Sequence, residues 1–251
     1  MSPQWTPCQK TMSKHSPDGK HRLPNSRFTR FTASVMRLFY HRRVSGRENI
    51  DPAEPAVFTC NHGRIAGPVT AVCFLPVRFR PWINGCMLDR EEATATMMRT
   101  FRDRFTFLGP KAKRSILRWV SGFICHFLNS FEPIPVYKGM PRESAGTISL
   151  SVDALEQGDN LLIFPERPRD RYDEESYKDF NTGFAALGRA YYERTGKCLG
   201  FHPCWSDPRS KDFRIGAPVY FDPANGPKEE KIRISSELRA RMNELRALCK
   251  K

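Results

Sequence analysis

The sequence predicts an α/β protein in which a mixed, largely parallel sheet is flanked by helices on both faces. Two observations lead to this fold class. From residue 56 onward, short apolar segments alternate with segments of helical periodicity, the order expected of strands and their covering helices. Segment 161–164 is continuously apolar, as buried strands are, and 114–129 carries a wide apolar stripe at helical spacing. A chain of 251 residues suits one domain with a buried core.

Each element follows from its local pattern. The predicted strands are 56–60, 80–84, 134–137, 161–164, 199–205 and 213–221, the last broken by Gly216 and Pro218. The predicted helices are 27–43, 68–75, about 91–101, 114–129, one from about 144, 183–193 and a last one through Ile234, Leu238, Met242 and Leu245. Pro68 suits the first turn of its helix, and Gly158 suits the left-handed cap that ends another.

Positive charge is concentrated at the start of the chain. The net charge is +14, and residues 1–43 hold nine Lys or Arg against one acidic residue, Asp18. Residues 1–26 are predicted to be a disordered basic tail, and 27–251 the α/β domain. Segment 27–43 is predicted to be an amphipathic helix with an aromatic-rich face beside a basic one. Such a helix either lies in a membrane interface or packs on the domain, and the pattern leaves both open.

The composition also indicates a cellular setting. The eight cysteines form no C-x-x-C pair, and residues 1–26 hold no apolar stretch of the length of a secretory signal, so we expect reduced thiols in the cytoplasm. No window is apolar enough for a spanning helix. The charge surplus indicates an anionic partner. We therefore expect a cytoplasmic protein, peripheral on the inner face of a membrane.

Polar residues follow three of the predicted strands, and a fourth pair interrupts the strand after Gly200. They stand in Asn61-His62-Gly63, Tyr137-Lys138-Gly139, Pro165-Glu166-Arg167 and His202-Pro203. Ligands of open α/β sheets bind beyond the carboxyl ends of the strands, so these exits predict one shared site. Phosphate-binding loops, dinucleotide fingerprints and G-x-S-x-G elbows are absent from the sequence, and no metal site is expected.

In the order and spacing of these segments, the sequence resembles the glycerolipid acyltransferase superfamily, of the 1-acylglycerol-3-phosphate acyltransferase type. Asn61-His62 matches the start of an H-x4-D box, and Ile134 to Gly139 matches a strand that ends in a basic residue. Phe164-Pro165-Glu166 with Arg169 matches part of F-P-E-G-T-R-S, and Phe201-His202-Pro203 matches a later hydrophobic-Pro element. The resemblance covers about residues 35–222.

The resemblance implies a reaction and roles for residues. An acyl group would move from a thioester, acyl-CoA or acyl carrier protein, to a hydroxyl of a lysophospholipid or glycerol phosphate, with no further cofactor. An alcohol is a poor nucleophile, so His62 is expected to act as general base. Lys138 and Arg169 are expected to bind the acceptor's phosphate, and Asn61 and Glu166 to contact substrate. Glu166 would accept from a substrate hydroxyl or hold a basic neighbour.

The sequence departs from the family pattern in three places. Gly67 stands at the carboxylate position of the H-x4-D box, Lys138 replaces the usual Arg, and Arg167, Pro168 and Asp170 replace Gly, Thr and Ser. A carboxylate that fixes the imidazole tautomer contributes strongly to such catalysis. Three interpretations follow: another acid (Asp89, Glu166 or Asp170) takes the role, a backbone carbonyl orients the ring, or catalysis is lost. If the missing acid limits the rate, Gly67→Asp should raise it.

Two other classes of function compete with the enzyme. A catalytically weakened or inactive member of the family would act as a peripheral lipid-binding protein on an anionic membrane surface. A nucleic-acid binder rests on the net charge alone and is disfavoured, because that charge lies mainly in the first 43 residues.

Overall fold

An eight-stranded sheet runs through the structure, a computed structural model that describes residues 27–63, 66–100, 109–137, 141–166 and 180–249. Its strands are β1 (Arg43–Ser45), β2 (Ala56–Cys60), β3 (Phe79–Asn84), β4 (Ile134–Val136), β5 (Asn160–Ile163), β6 (Gly200–Asp207), β7 (Asp212–Ile215) and β8 (Val219–Tyr220). The spatial order is β1-β7-β6-β2-β5-β3-β4, and β8 also pairs with β6. The predicted disordered tail, 1–26, lies outside the described residues.

The middle of the sheet is parallel. Strands β6, β2, β5, β3 and β4 all run in one direction. Strands β7 and β8 are antiparallel to β6, and β1 pairs parallel to β7 at the edge. All five residues of β2 are buried, as expected of a parallel strand covered on both faces.

Helices cover both faces of the sheet. They are α1 (Arg27–Phe39), α2 (Ala66–Phe74), α3 (Arg90–Thr100), α4 (Pro110–Asn129), α5 (Pro141–Glu156), α6 (Ala186–Thr195) and α7 (Pro227–Cys249). Alternate residues of β5 enter two separate cores: Leu161 packs with α5, α6 and α7, whereas Leu162 packs with α2 and the end of α4. The predicted fold class, a mixed and largely parallel sheet flanked by helices on both faces, is confirmed.

Some element boundaries differ from the predicted ones. The first helix was expected to reach residue 43 but ends at Phe39, because Arg43 begins β1, donates its amide to the Lys211 carbonyl and pairs with Asp212. The predicted strand 213–221 is divided as its Gly216 and Pro218 indicated, and the Gly216 amide donates to the Pro203 carbonyl at 2.8 Å.

Two other ends follow simple backbone chemistry. Helix α4 begins at Pro110, four residues before the predicted start, because a proline is favourable in the first turn of a helix. Gly158 has φ +82° after α5, the left-handed conformation that glycine adopts without strain.

Helix α1 turns its largest apolar side chains away from the domain. Phe31, Leu38 and Phe39 are 68%, 69% and 85% exposed. The opposite side of the helix packs on α2, where Ala33 is buried and the Arg37 guanidinium donates to the Cys73 carbonyl. The helix therefore packs on the domain and still presents an apolar face outward.

Two further observations concern the setting of the protein. Across the described part of the chain, no helix combines the length and the apolar character needed to cross a bilayer. The cysteines at positions 60, 73, 86, 125, 198, 204 and 249 form no disulfide. Burial raises the pKa of the Cys73 thiol to about 11, so this group stays protonated at neutral pH.

Candidate active site

The candidate site lies where β2 and β5 end side by side. In the parallel register Thr59 is opposite Ile163, so the residues that follow the two strands continue along neighbouring paths. The chain leaves β2 through Asn61 and His62, and leaves β5 through Phe164 and Pro165. Carboxyl ends of parallel strands form one edge of a sheet, the usual place for ligands in this fold class.

His62 and Glu166 meet at this edge although they are 104 positions apart. The His62 amide donates to Glu166 Oε2 at 2.9 Å, and the Gly63 amide also bonds the carboxylate. The His62 ring is half-buried and contacts Phe164 edge-on, with centroids 5.3 Å apart. Two segments expected to share a site are thus joined by a hydrogen bond and a ring contact.

Opposing effects act on the Glu166 carboxyl group. Burial disfavours the charged form and raises its pKa above the ordinary value, while the His62 and Gly63 amides favour the carboxylate and lower it. Burial is the larger effect, so the net shift is upward. Glu166 directs an oxygen at the backbone of the turn that bears His62, which fixes where that turn lies.

Phe180 brings the chain back to the same edge. It forms an antiparallel bridge with Glu166, and the Asn181 amide donates to the Pro165 carbonyl at 2.8 Å. Glu166 and Phe180, which are 14 positions apart, are therefore neighbours at this edge. Arg169 and Asp170 belong to that segment and lie outside the described residues, as does Lys138 after β4.

Asn61 is part of the sheet rather than of an open cleft. Its side chain is buried, and the side-chain amide forms two hydrogen bonds with one residue of β6. The Ser206 amide donates to Asn61 Oδ1 at 2.7 Å, and Asn61 Nδ2 donates to the Ser206 carbonyl at 3.0 Å. These contacts tie the Asn61 side chain to the backbone of β6 and hold the chain just before His62.

Gly67, five residues after His62, stands where the space admits no side chain. A Cβ atom on Gly67 would lie 1.8 Å from the Asn61 carbonyl oxygen and 2.8 Å from that of His62. The Gly67 amide donates to the His62 carbonyl at 3.1 Å, so the start of α2 is drawn tightly against the turn. Gly67→Asp therefore requires the backbone to move before its Cβ fits, and its effect on the rate stays a prediction.

The three acids considered as replacement partners are placed differently. Asp89 Oδ1 accepts from the Glu91 and Glu92 amides at 2.9 Å, so it caps the start of α3. Glu166 lies against the backbone of the His62 turn. Asp170 falls outside the described residues.

His202, in the later motif, is a buried core residue. Its ring stacks on Phe58 of the neighbouring strand with centroids 4.9 Å apart, and its Nδ1 lies 3.1 Å from the Gly216 carbonyl. Burial lowers the pKa of His202, because the charged form would lose its hydration. Its ring packs between strands and does not join the His62 turn.

Sequence reasoning missed two hydroxyl residues beneath the site. Ser206 Oγ donates to Thr70 Oγ1 at 2.9 Å, and both residues are buried. In the sequence, each is a polar residue within an otherwise apolar segment. Because a buried hydroxyl group requires a hydrogen-bond partner, this pattern indicates a buried hydrogen bond. That signal does not reveal which partner each hydroxyl has.

No protein-family model matches the chain, and no curated protein matches it. Among solved structures, the chain is similar to the 1-acyl-sn-glycerophosphate (LPA) acyltransferase PlsC from Thermotoga maritima, with a TM-score of 0.47 and 15% identity. The superposition covers 88% of this chain and 77% of that one. The functional proposal rests on the residues of the site and not on this distant similarity.

Proposed function

We propose that the protein transfers an acyl group from a thioester, acyl-CoA or acyl carrier protein, to a hydroxyl of a lysophospholipid or glycerol phosphate. The observation that carries the proposal is the contact of His62 with Glu166 and Phe164. These residues were singled out from two motifs far apart in the sequence. Their junction at the carboxyl edge of a parallel sheet supports a shared function.

His62 is the proposed general base. Its Nδ1 is buried, so Nε2 is the nitrogen that would face an acceptor hydroxyl. His62 takes the hydroxyl proton while the oxygen attacks the thioester carbonyl carbon. The resulting tetrahedral intermediate collapses, the carbon–sulfur bond breaks, and the sulfur leaves with the proton that His62 returns. The products are an ester and a free thiol.

Phosphate binding is proposed for Lys138 and Arg169. Lys138 directly follows Tyr137 at the end of β4, and Arg169 comes three residues after Glu166. The described strands that precede them in the sequence, β4 and β5, both end at the edge of the sheet where His62 lies. A lysine supplies a point charge and an arginine a planar two-pronged donor, which together suit a phosphate dianion.

We propose that the protein acts at a membrane surface with anionic headgroups. The exposed apolar face of α1 suits the acyl region of a lipid layer. Basic residues accompany it: the Arg43 side chain is 78% exposed just beyond the helix, and the Arg37 guanidinium lies over the Phe74 ring on the side that faces α2. An apolar face with flanking cations is complementary to anionic lipid and brings the site to its lipid acceptor.

The test is a transfer assay. The purified protein is incubated with labelled acyl-CoA or acyl carrier protein and lysophosphatidic acid, and the labelled diacyl product is measured against boiled protein. Transfer above the boiled control supports the enzyme. Absence of transfer with every thioester and phosphorylated acceptor tried would contradict it.

The second candidate function is a peripheral lipid-binding protein without catalysis. Gly67 favours it, because no carboxylate fits at the position where the family carries one. Under this alternative, anionic vesicles bind the protein, binding weakens with salt, and no acyl product forms. The same preparation decides between the two candidates.

A further inference from the structure

Helix α2 lies between α1 and the turn that carries His62. At its start, the Gly67 amide donates to the His62 carbonyl at 3.1 Å. At its end, the Arg37 guanidinium of α1 donates to the Cys73 carbonyl and lies 6.0 Å from the centroid of the Phe74 ring. One short helix therefore contacts both the proposed catalytic turn and the helix with the exposed apolar face.

A chain of polar contacts runs beside this helix. Tyr40, just after α1, has its hydroxyl 3.4 Å from Thr70 Oγ1. Ser206 Oγ donates to the same Thr70 oxygen at 2.9 Å. The Ser206 backbone forms two hydrogen bonds with the side-chain amide of Asn61. Asn61 is bonded covalently to His62. The chain thus leads from the end of α1 to the residue next to the proposed base.

The interior members of this chain are buried, which makes their geometry restrictive. Thr70, Ser206 and Asn61 are each at most 5% exposed. A buried hydroxyl that loses its partner carries an unfavourable desolvation free energy, so the members of such a network move together rather than singly.

We infer that Tyr40, Thr70 and Ser206 are positioning residues for His62. Through them, the position at which α1 packs on the domain influences the geometry of the His62 turn. The inference rests on the proposed function in one respect: it takes His62 as the group that acts on the substrate. None of the three residues is assigned a contact with substrate. They act through Asn61 and through the start of α2.

The inference is tested with Tyr40→Phe, which removes one hydroxyl and keeps the ring, and with Thr70→Val, which removes the central hydroxyl at nearly constant volume. Tyr220→Phe is the matched control, because Tyr220 is exposed on β8 and is not part of the chain. The readout is the NMR signal of the His62 ring in protein labelled at histidine, assigned with His62→Ala. Thermal unfolding of each variant establishes that it is folded.

We expect Tyr40→Phe and Thr70→Val to shift the His62 ring signal while Tyr220→Phe leaves it in place. In the transfer assay, both variants should lower kcat by about tenfold with KM nearly unchanged, because misplacement of a base slows the chemical step. An unmoved His62 signal in both variants would overturn the inference, even if the wild type transfers acyl groups. A shifted signal in a protein without transfer would retain the positioning role and reject the proposed enzyme.

Discussion

The Cα atom of Gly67 lies so near Asn61 that a Cβ added to it would stand 1.8 Å from the Asn61 carbonyl oxygen. This approach places the start of α2 against the His62 turn and defines the shape of the proposed site. Only glycine, which has no Cβ, fits so close an approach.

Replacing Gly67 with alanine should destabilise the protein. The new Cβ meets backbone atoms that cannot rotate away, so we expect a loss of about 2 kcal/mol or more in the free energy of unfolding. Urea unfolding followed by circular dichroism measures it. Gly146→Ala in α5 is the matched control, because nothing lies within 4 Å of its Cβ, and it should be neutral or stabilising by about 0.5–1 kcal/mol. Equal stability of the Gly67 and Gly146 variants would contradict the close approach.

Glu166 should make the stability of the protein depend on pH in a defined direction. Burial raises its folded pKa above the ordinary value of 4.5, so the folded state retains the proton to higher pH than the unfolded state. This part of the stability is present below pH 4.5 and is lost as pH rises through the folded pKa. In Glu166→Gln the side chain does not titrate, so the free energy of unfolding does not contain this pH-dependent decrease.

The difference in free energy of unfolding, wild type minus Glu166→Gln, should therefore fall as pH increases above 4.5. Denaturant unfolding of both proteins between pH 4 and pH 8 measures this difference. A difference that rises with pH would mean that the His62 and Gly63 amides outweigh burial, and that the carboxylate is the favoured form in the folded protein.

Lys138 and Arg169 should determine recognition of a phosphorylated acceptor. Lys138→Ala and Arg169→Ala should each raise KM for lysophosphatidic acid about tenfold, because a charge-assisted hydrogen bond contributes about 1.5–3 kcal/mol. A monoacylglycerol acceptor has no phosphate, and its KM should be unchanged. Lys197→Ala, at an exposed position after α6, is the control for loss of one positive charge. Equal effects on both acceptors would argue against phosphate binding by these residues.

The apolar face of α1 should govern membrane binding. Replacing Phe31, Leu38 and Phe39 together with serine should weaken co-sedimentation with anionic vesicles at least tenfold, because each large side chain that enters lipid contributes about 1.5–3 kcal/mol. The matched control replaces Ile232 and Leu248, exposed apolar residues of α7. If the α7 variant loses binding as strongly as the α1 variant, α1 is not the membrane-facing element.

Much of the fold follows from local patterns, and the site follows in part. Strand β2 was predicted at its observed bounds, and the meeting of His62 with Glu166 followed from the rule that parallel strands end at one edge. Strand β1 was missed, because its three residues include only one apolar side chain, Val44, and its partner is distant in sequence.

The remaining features depend on tertiary packing that no local pattern encodes. Asn61 was expected to contact substrate, but its amide pairs with the backbone of a strand about 145 residues later. The role of Gly67 depends on how closely a helix approaches a carbonyl group, a distance that the sequence does not contain.

The rate of acyl transfer by His62→Ala shows whether His62 is the general base. Loss of a general base lowers such rates by about 10²–10⁴-fold. We expect a loss of this size for His62→Ala with unchanged vesicle binding and unfolding temperature, while His126→Ala, at an exposed position of α4, retains the wild-type rate. A His62→Ala protein that transfers acyl groups as fast as the wild type would contradict the assignment of His62 as the base.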